Sequence, residues 1–245
     1  MKLGYISNWS GVGPGQMKVK DFLEKNKKIG FRYVEVSPEI AGSYLEVDKR
    51  KAEEIKSMLA DYDVTPLAYC IGGWGEKDRG KLEIGFEAAL SLGVEVIVGC
   101  AEREIVEEID KLCNHYKVYF AIENHWHSPD HESVEGVLKT LKNTSSYIGA
   151  NIDTGHFTTV GHDPLEVANR LKGRIYHVHL KDVKVKGAHE MCVLGEGVAR
   201  IGDFIKKMKE LNYQRMLSVE FINPPEPVIE NLIRCRDFCE KILEE

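Results

Sequence analysis

Four β-rich segments in the second half of the chain each end in a residue able to ligate a cation: Glu123, Asp153, His179 and Glu220. Singly, each has an ordinary structural reading. Asp153 can cap a turn, His179 can sit satisfied in a core, and either glutamate can pair with a neighbouring lysine. Together they conflict, because three carboxylates brought to one place repel one another and lose hydration, a cost that a cation among them removes. Three carboxylate oxygens and one imidazole suit one divalent ion of hard to borderline character, Mn2+, Mg2+ or Co2+, with Zn2+ also accommodated, and leave coordination positions for substrate oxygens. Asn124, His125, His156 and Lys181 lie within three residues of one of these four. They are placed to orient a ligand or hold substrate hydroxyls. The cysteines are not needed.

Bringing four chain segments to one point requires a scaffold, and the chain supplies a regular one. β-rich runs begin at residues 2, 32, 66, 94, 118, 147, 174 and 216, eight in all. Between them lie one-sided helical stripes such as Ala52, Ile55, Leu59 and Tyr62, or Ile201, Phe204, Ile205, Met208 and Leu211. Apolar residues three and four apart define such faces. Gly30 and Gly93 close helices as left-handed caps, and Asp163 before Pro164 reads as N-cap and first helical position. Strands alternating with helices at a pitch of about 30 residues mean a parallel sheet, and eight such units close into a single (β/α)8 barrel covering residues 1–245. In that fold, chemistry sits at the carboxyl ends of the strands. The connection at residues 181–200, after the seventh strand, is longer than the others and reads as a functional loop.

Within "IGANIDTGHFTTVGHDP", residues 148–164, Asp153 therefore reads as a ligand at the strand end and His156 as a loop residue facing the substrate. Both stand too far before Asp163 to cap the helix that starts there. His162 is left unassigned.

The chain has 245 residues, 43% of them apolar, and a formal charge of −6 with acidic and basic residues interleaved. No basic stripe is available to neutralise a phosphate backbone, which argues against a nucleic-acid partner. The start "MKLGYISNWSG" lacks the apolar core of a signal peptide, no segment has membrane-span length, and six cysteines form no CxxC pair. Cys235 and Cys239, four apart on an apolar helix face, suit buried thiols. These features lead to the expectation of a cytoplasmic protein with no membrane contact and with a homo-oligomer left open.

The motifs "AIENH" at 121, "NIDTGH" at 151, "HVHLKD" at 177, "LGEG" at 194 and "SVEF" at 218 resemble the xylose isomerase-like barrel superfamily of sugar and sugar-phosphate isomerases and epimerases. Ketose 3-epimerases, hydroxypyruvate isomerase, inosose dehydratase and apurinic-site endonucleases are similar in turn. The resemblance implies that Glu123, Asp153, His179 and Glu220 hold the metal and that Glu123 and Glu220 double as the acid/base pair. It implies that His156 binds a substrate hydroxyl, and it makes His125 and Lys181 candidate substrate contacts. Glu35 falls at a family-like position of varying role, with a structural carboxylate as the alternative. Trp9 and Trp74, in loops after strands one and three, are candidates for an apolar wall against a sugar face, or for packing.

The implied activity is isomerisation or epimerisation of a sugar-like substrate through an enediolate, with a metal-dependent dehydratase as the alternative. A sugar-binding barrel without catalysis and an apurinic-site endonuclease rank lower. The endonuclease set needs further histidines after strands three and four and an Asp-x-His element in the long loop; here Gly187 stands two residues before His189.

Overall fold

A computed structural model of the chain describes residues 1–8, 12–222 and 224–245; the side chain of Trp74 is outside that description. Among the described residues, ten strands occur in chain order: β1 (Lys2–Ile6), β2 (Tyr33–Val36), β3 (Thr65–Trp74), β4 (Val96–Ala101), β5 (Tyr119–Glu123), β6 (Ile148–Asp153), β7 (Ile175–Leu180), β8 (Asp182–Val183), β9 (Met191–Cys192) and β10 (Met216–Val219). Eight of them pair in parallel into a closed barrel in the order β1-β10-β7-β6-β5-β4-β3-β2. The expected (β/α)8 barrel is the observed one.

The helices are α1 (Val19–Ile29), α2 (Pro38–Ala41), α3 (Lys49–Ala60), α4 (Arg79–Leu92), α5 (Val106–Tyr116), α6 (Val134–Leu141), α7 (Thr154–Thr159), α8 (Pro164–Arg170), α9 (Ile201–Glu210) and α10 (Val228–Glu244). Their apolar stripes face the strands, as with Ala52, Ile55 and Leu59 of α3 or Phe204, Ile205 and Met208 of α9, all buried. Gly30 and Gly93 close α1 and α4 at φ 92° and 77°, a conformation that costs glycine no Cβ clash. Asp163 caps α8 through Leu165 N at 2.9 Å. Cys235 and Cys239 are buried on α10, and all six cysteines are free thiols.

Three details depart from the sequence expectation. The third strand runs on through "GGW", so Trp74 ends a strand rather than sitting in the loop after it. Residues 181–200 are not loop alone, since β8 and β9 pair there as an antiparallel hairpin. Asp153, read as a ligand and not a cap, is the N-cap of α7: its Oδ1 accepts from His156 N at 2.7 Å, which puts His156 on a short helix and not in a loop. Among the described residues, no helix is long and apolar enough to cross a membrane.

The hairpin and the turn "LGEGVA" are pinned by one buried carboxylate. Asp182 Oδ2 accepts from Gly195 N at 2.9 Å and Gly197 N at 3.1 Å, while Oδ1 accepts from Ala199 N and Val183 N, each at 3.0 Å. A Cβ on Gly197 would lie 2.3 Å from both Asp182 Oδ1 and Val183 O, which explains the glycine. Removing the carboxylate leaves four amide donors unpaired, those of Val183 and Ala199 buried, at a cost of about 1–3 kcal/mol. Asp182→Ala should lower the unfolding free energy read from urea titration by that amount and raise amide exchange at Gly195, Gly197 and Ala199 before it affects the strands.

Candidate metal centre

Strand register sets the level of the four expected ligands. In the barrel, Glu123 pairs with Asn151, Asp153 with His179, and His179 with Ser218; Glu220 follows β10 directly. One ligand atom from each of Glu123, Asp153, His179 and Glu220 lies within 4.8 Å of the others, and all four residues are buried. His179 Nδ1 is 3.1 Å from Glu123 Oε1, 3.1 Å from Glu220 Oε2 and 3.9 Å from Asp153 Oδ2. These groups lie at the carboxyl ends of the strands.

Two sealed oxygens point to what the cluster could hold. Asp153 Oδ2 and Glu220 Oε2 are shut off from solvent and accept no hydrogen bond. Their compensation is ionic: the Lys181 ammonium lies 2.9 Å from Asp153 Oδ2 and 3.1 Å from Glu220 Oε2. Three carboxylates, two of them with a sealed oxygen met by charged groups alone, and an imidazole nitrogen among them form a donor set that fits a divalent cation.

Burial and close charges shift the groups of the cluster strongly. Burial pushes the Asp153 carboxyl up, Lys181 pulls it back and Glu220 adds to the push, so it stays above the ordinary carboxylate range. Glu220 pays the same burial cost, but Lys181 and His179 hold it well below that range. Burial opposes charge on His179, yet Glu35 and Glu220 keep it well above the usual imidazole range. Lys181 is likewise desolvated and is raised by Asp153 and Glu220. For His156, burial and then the Lys181 charge act together and lower it, so the ring is neutral. Lys181 Nζ donates to His156 Nε2 at 3.0 Å, which leaves the ring hydrogen on Nδ1.

Beneath the cluster, Glu35 has a defined task. It is fully buried, and its carboxylate accepts from His179 Nε2 at 3.1 Å and from His177 Nε2 at 2.8 Å. Binding Nε2–H there directs His179 Nδ1 at the carboxylates above, the arrangement by which carboxylates orient metal-binding histidines. Burial would raise Glu35, but His179 and His177 outweigh it and hold the carboxyl low.

The "DTGH" glycine also finds its reason here. A Cβ on Gly155 would lie 2.5 Å from Lys181 Cγ and 2.7 Å from Cδ. The lysine stem crosses α7 at the one residue without a side chain. Thr154 Oγ1 fastens the same two elements, donating to Lys181 O at 2.7 Å and accepting from Lys181 N at 2.9 Å.

A cavity of about 740 Å3 opens above the cluster, lined by Glu123, His179 and Glu220 together with the expected contacts His125, His156 and Lys181. Asn124 turns away from it, bonding Asp153 through both main-chain groups at 2.8 and 3.2 Å. Trp9 lies outside the described residues, as does the side chain of Trp74, so the apolar wall expected of them is not described. Other lining residues were not anticipated: Cys70, Cys100, Trp126, His127, His189 and Met191. Cys100 Sγ donates to Glu123 Oε2 at 3.6 Å. Its signal was its place next to the carboxyl end of β4. For His177 the signal was two-residue spacing from His179, which puts both side chains on the inner face of β7.

Comparison with known proteins agrees with the fold. A curated, uncharacterised protein of Methanocaldococcus jannaschii is 26% identical over 148 residues, 57% of this chain and 47% of that one. Inosose dehydratase of Lacticaseibacillus casei is 50% identical over 38 residues, 16% of this chain and 13% of the enzyme. The chain thus matches about half the length of one curated relative and about an eighth of the other. Among solved structures, a D-psicose 3-epimerase determined in the presence of D-fructose aligns with TM-score 0.79 at 15% identity over the full length of both chains. The IolI protein with a bound zinc atom aligns with TM-score 0.76 at 18% identity, covering 100% of this chain and 98% of that one. The family model for xylose isomerase-like TIM barrels matches residues 23–238, and the chain belongs to that family.

Proposed function

We propose that the chain is a divalent-metal-dependent isomerase or epimerase of a sugar-like substrate. The observation that carries this reading is the buried convergence of Glu123, Asp153, His179 and Glu220 at the floor of an open cavity. Those four would hold the cation. When bound, it would supply Lewis acidity, stabilising charge that develops on a substrate oxygen as a neighbouring carbon is deprotonated.

The protein's own groups would do the rest. Glu123 ends β5 and Glu220 follows β10, strands that are not neighbours, so their carboxylates approach a bound substrate from different sides. One would take the proton from carbon, and the same or the other would return it to another face or another carbon. Neutral His156 would hold a hydroxyl, and Lys181, fixed by Asp153 and Glu220, would donate to a substrate oxygen. Loss of a hydroxyl from the adjacent carbon would turn the same sequence into a dehydration. The match to inosose dehydratase supports that second reading.

The test is exchange of deuterium from D2O into ketoses and inososes, read by NMR on metal-loaded protein. Label should enter the carbon next to the carbonyl, and Glu123→Gln or Glu220→Gln should slow it by about 10²–10⁴-fold. Loss of water with the label identifies the dehydratase; no exchange by metal-loaded protein rejects both enzymes. Cation binding should also raise the melting temperature, with about 2.7 kcal/mol gained at a hundredfold excess over Kd, and a chelator should reverse the rise. Glu35→Gln should weaken metal affinity by about 10–100-fold in calorimetry. His177→Gln, which leaves the His179 bond in place, should weaken it less.

A further inference from the structure

Each carboxylate beside Lys181 has one oxygen committed to a hydrogen bond and one left. Asp153 Oδ1 accepts from His156 N at 2.7 Å, and Glu220 Oε1 accepts from Asn8 Nδ2 at 3.4 Å. The remaining pair, Asp153 Oδ2 and Glu220 Oε2, is shut off from solvent and accepts no hydrogen bond. These two oxygens lie 3.9 and 3.1 Å from His179 Nδ1, inside the candidate ligand set. They are also the two that the Lys181 ammonium touches, at 2.9 and 3.1 Å. A divalent cation and Lys181 therefore have a claim on the same pair.

The hold of Lys181 on that pair is one of charge and not of directed bonding, so another cation can replace it without breaking a hydrogen bond. The bond that Nζ does make runs elsewhere, to His156 Nε2 at 3.0 Å. Two cations on the same buried oxygens repel each other far more strongly than they would in water. Sharing is disfavoured and exchange is favoured.

The lysine is fixed everywhere except at its end. Its main chain is tied to Thr154 Oγ1 through both N and O, at 2.9 and 2.7 Å. Its Cγ and Cδ run against Gly155, where an added Cβ would lie 2.5 and 2.7 Å from them. Beyond Cδ, the ammonium is held by the two ionic contacts and by His156, and both Lys181 and His156 line the cavity. Among the described residues lining that cavity, Lys181 is the one lysine or arginine. Three acceptor atoms already stand within 3.1 Å of Nζ, as many as an ammonium has hydrogens. Donation to a substrate oxygen thus requires that one of them be given up.

We propose that the Lys181 ammonium and a divalent cation are alternative partners of Asp153 Oδ2 and Glu220 Oε2, so that the ammonium is released to the cavity, and to a substrate oxygen, only when a cation holds the carboxylates. This rests on the reading of the cluster as a metal site. It makes Lys181 an internal cation that couples occupancy of the floor to the cationic contact offered above it.

The experiment titrates Zn2+ into the full chain by calorimetry and follows the Lys181 ammonium by lysine side-chain NMR with the same ion. Lys181→Met, which keeps an unbranched stem and removes the charge, should bind Zn2+ more tightly by about tenfold or more. Lys184→Met, which removes an exposed charge paired with Glu190, should stay within about twofold of the native chain. Glu123→Gln should weaken binding, which identifies the cluster as the source of the heat. At saturation the Lys181 ammonium resonance of the native chain should move. Melting curves establish that each variant is folded; if Lys181→Met does not fold, the native resonance decides alone. Unchanged or weaker affinity in Lys181→Met, an equal gain in Lys184→Met, or an unmoved resonance at saturation overturns the exchange, while Zn2+ binding that depends on Glu123 leaves the metal site standing. Binding by Lys181→Met but not by the native chain shows that the ammonium never leaves, and overturns both the release and the metal-dependent reading. Binding by neither overturns both as well.

Discussion

Three buried carboxylates at one end of a barrel cannot be left to themselves, and much of the local structure is an answer to their charge. Lys181 is drawn fully inside to stand between Asp153 and Glu220. Burial opposes charge on His179, and Glu35 and Glu220 favour it. Yet the compensation is incomplete in geometry, since one oxygen of Asp153 and one of Glu220 accept no hydrogen bond. Buried charge without directed partners is expensive, and it persists where a site requires it.

That demand propagates outward through particular contacts. Glu35 and His177 lie beneath His179 and fix which nitrogen faces the cluster. Gly155 clears the path of the Lys181 stem, and Thr154 ties α7 to the segment that carries the lysine. Asp182, next to Lys181, binds the amides of the "LGEG" turn and so fixes the hairpin that brings Met191 to the cavity. Several of the motif residues thus find structural reasons as neighbours of the charged set.

The barrel was legible because its signals are periodic and local. Eight β-rich runs, one-sided helical stripes and glycine caps such as Gly30 each depend on a few adjacent residues. The four strand-end groups were legible for a related reason: in a parallel barrel, position along the strand fixes height, so four strand ends imply one neighbourhood. What lay beyond reach depended on distant pairing. Glu35 meets His177 across 142 residues of sequence, and no spacing rule connects them. Trp126 was overlooked in favour of Trp9 and Trp74 because an indole in a loop has no periodicity to reveal which way it faces. Reading Asp153 as either ligand or cap assumed that one carboxylate does one thing, whereas its two oxygens point in different directions.

That division of labour bears on when the entropy of ordering is lost. With Oδ1 fixed by the first turn of α7, the Asp153 side chain has little torsional freedom left by the time the barrel has closed. Oδ2 is consequently aimed before any cation arrives. If Asp153 ligates a cation as proposed, a group that would otherwise have to be recruited and immobilised on binding is already immobilised by folding, and helix initiation and preorganisation of the centre become a single event.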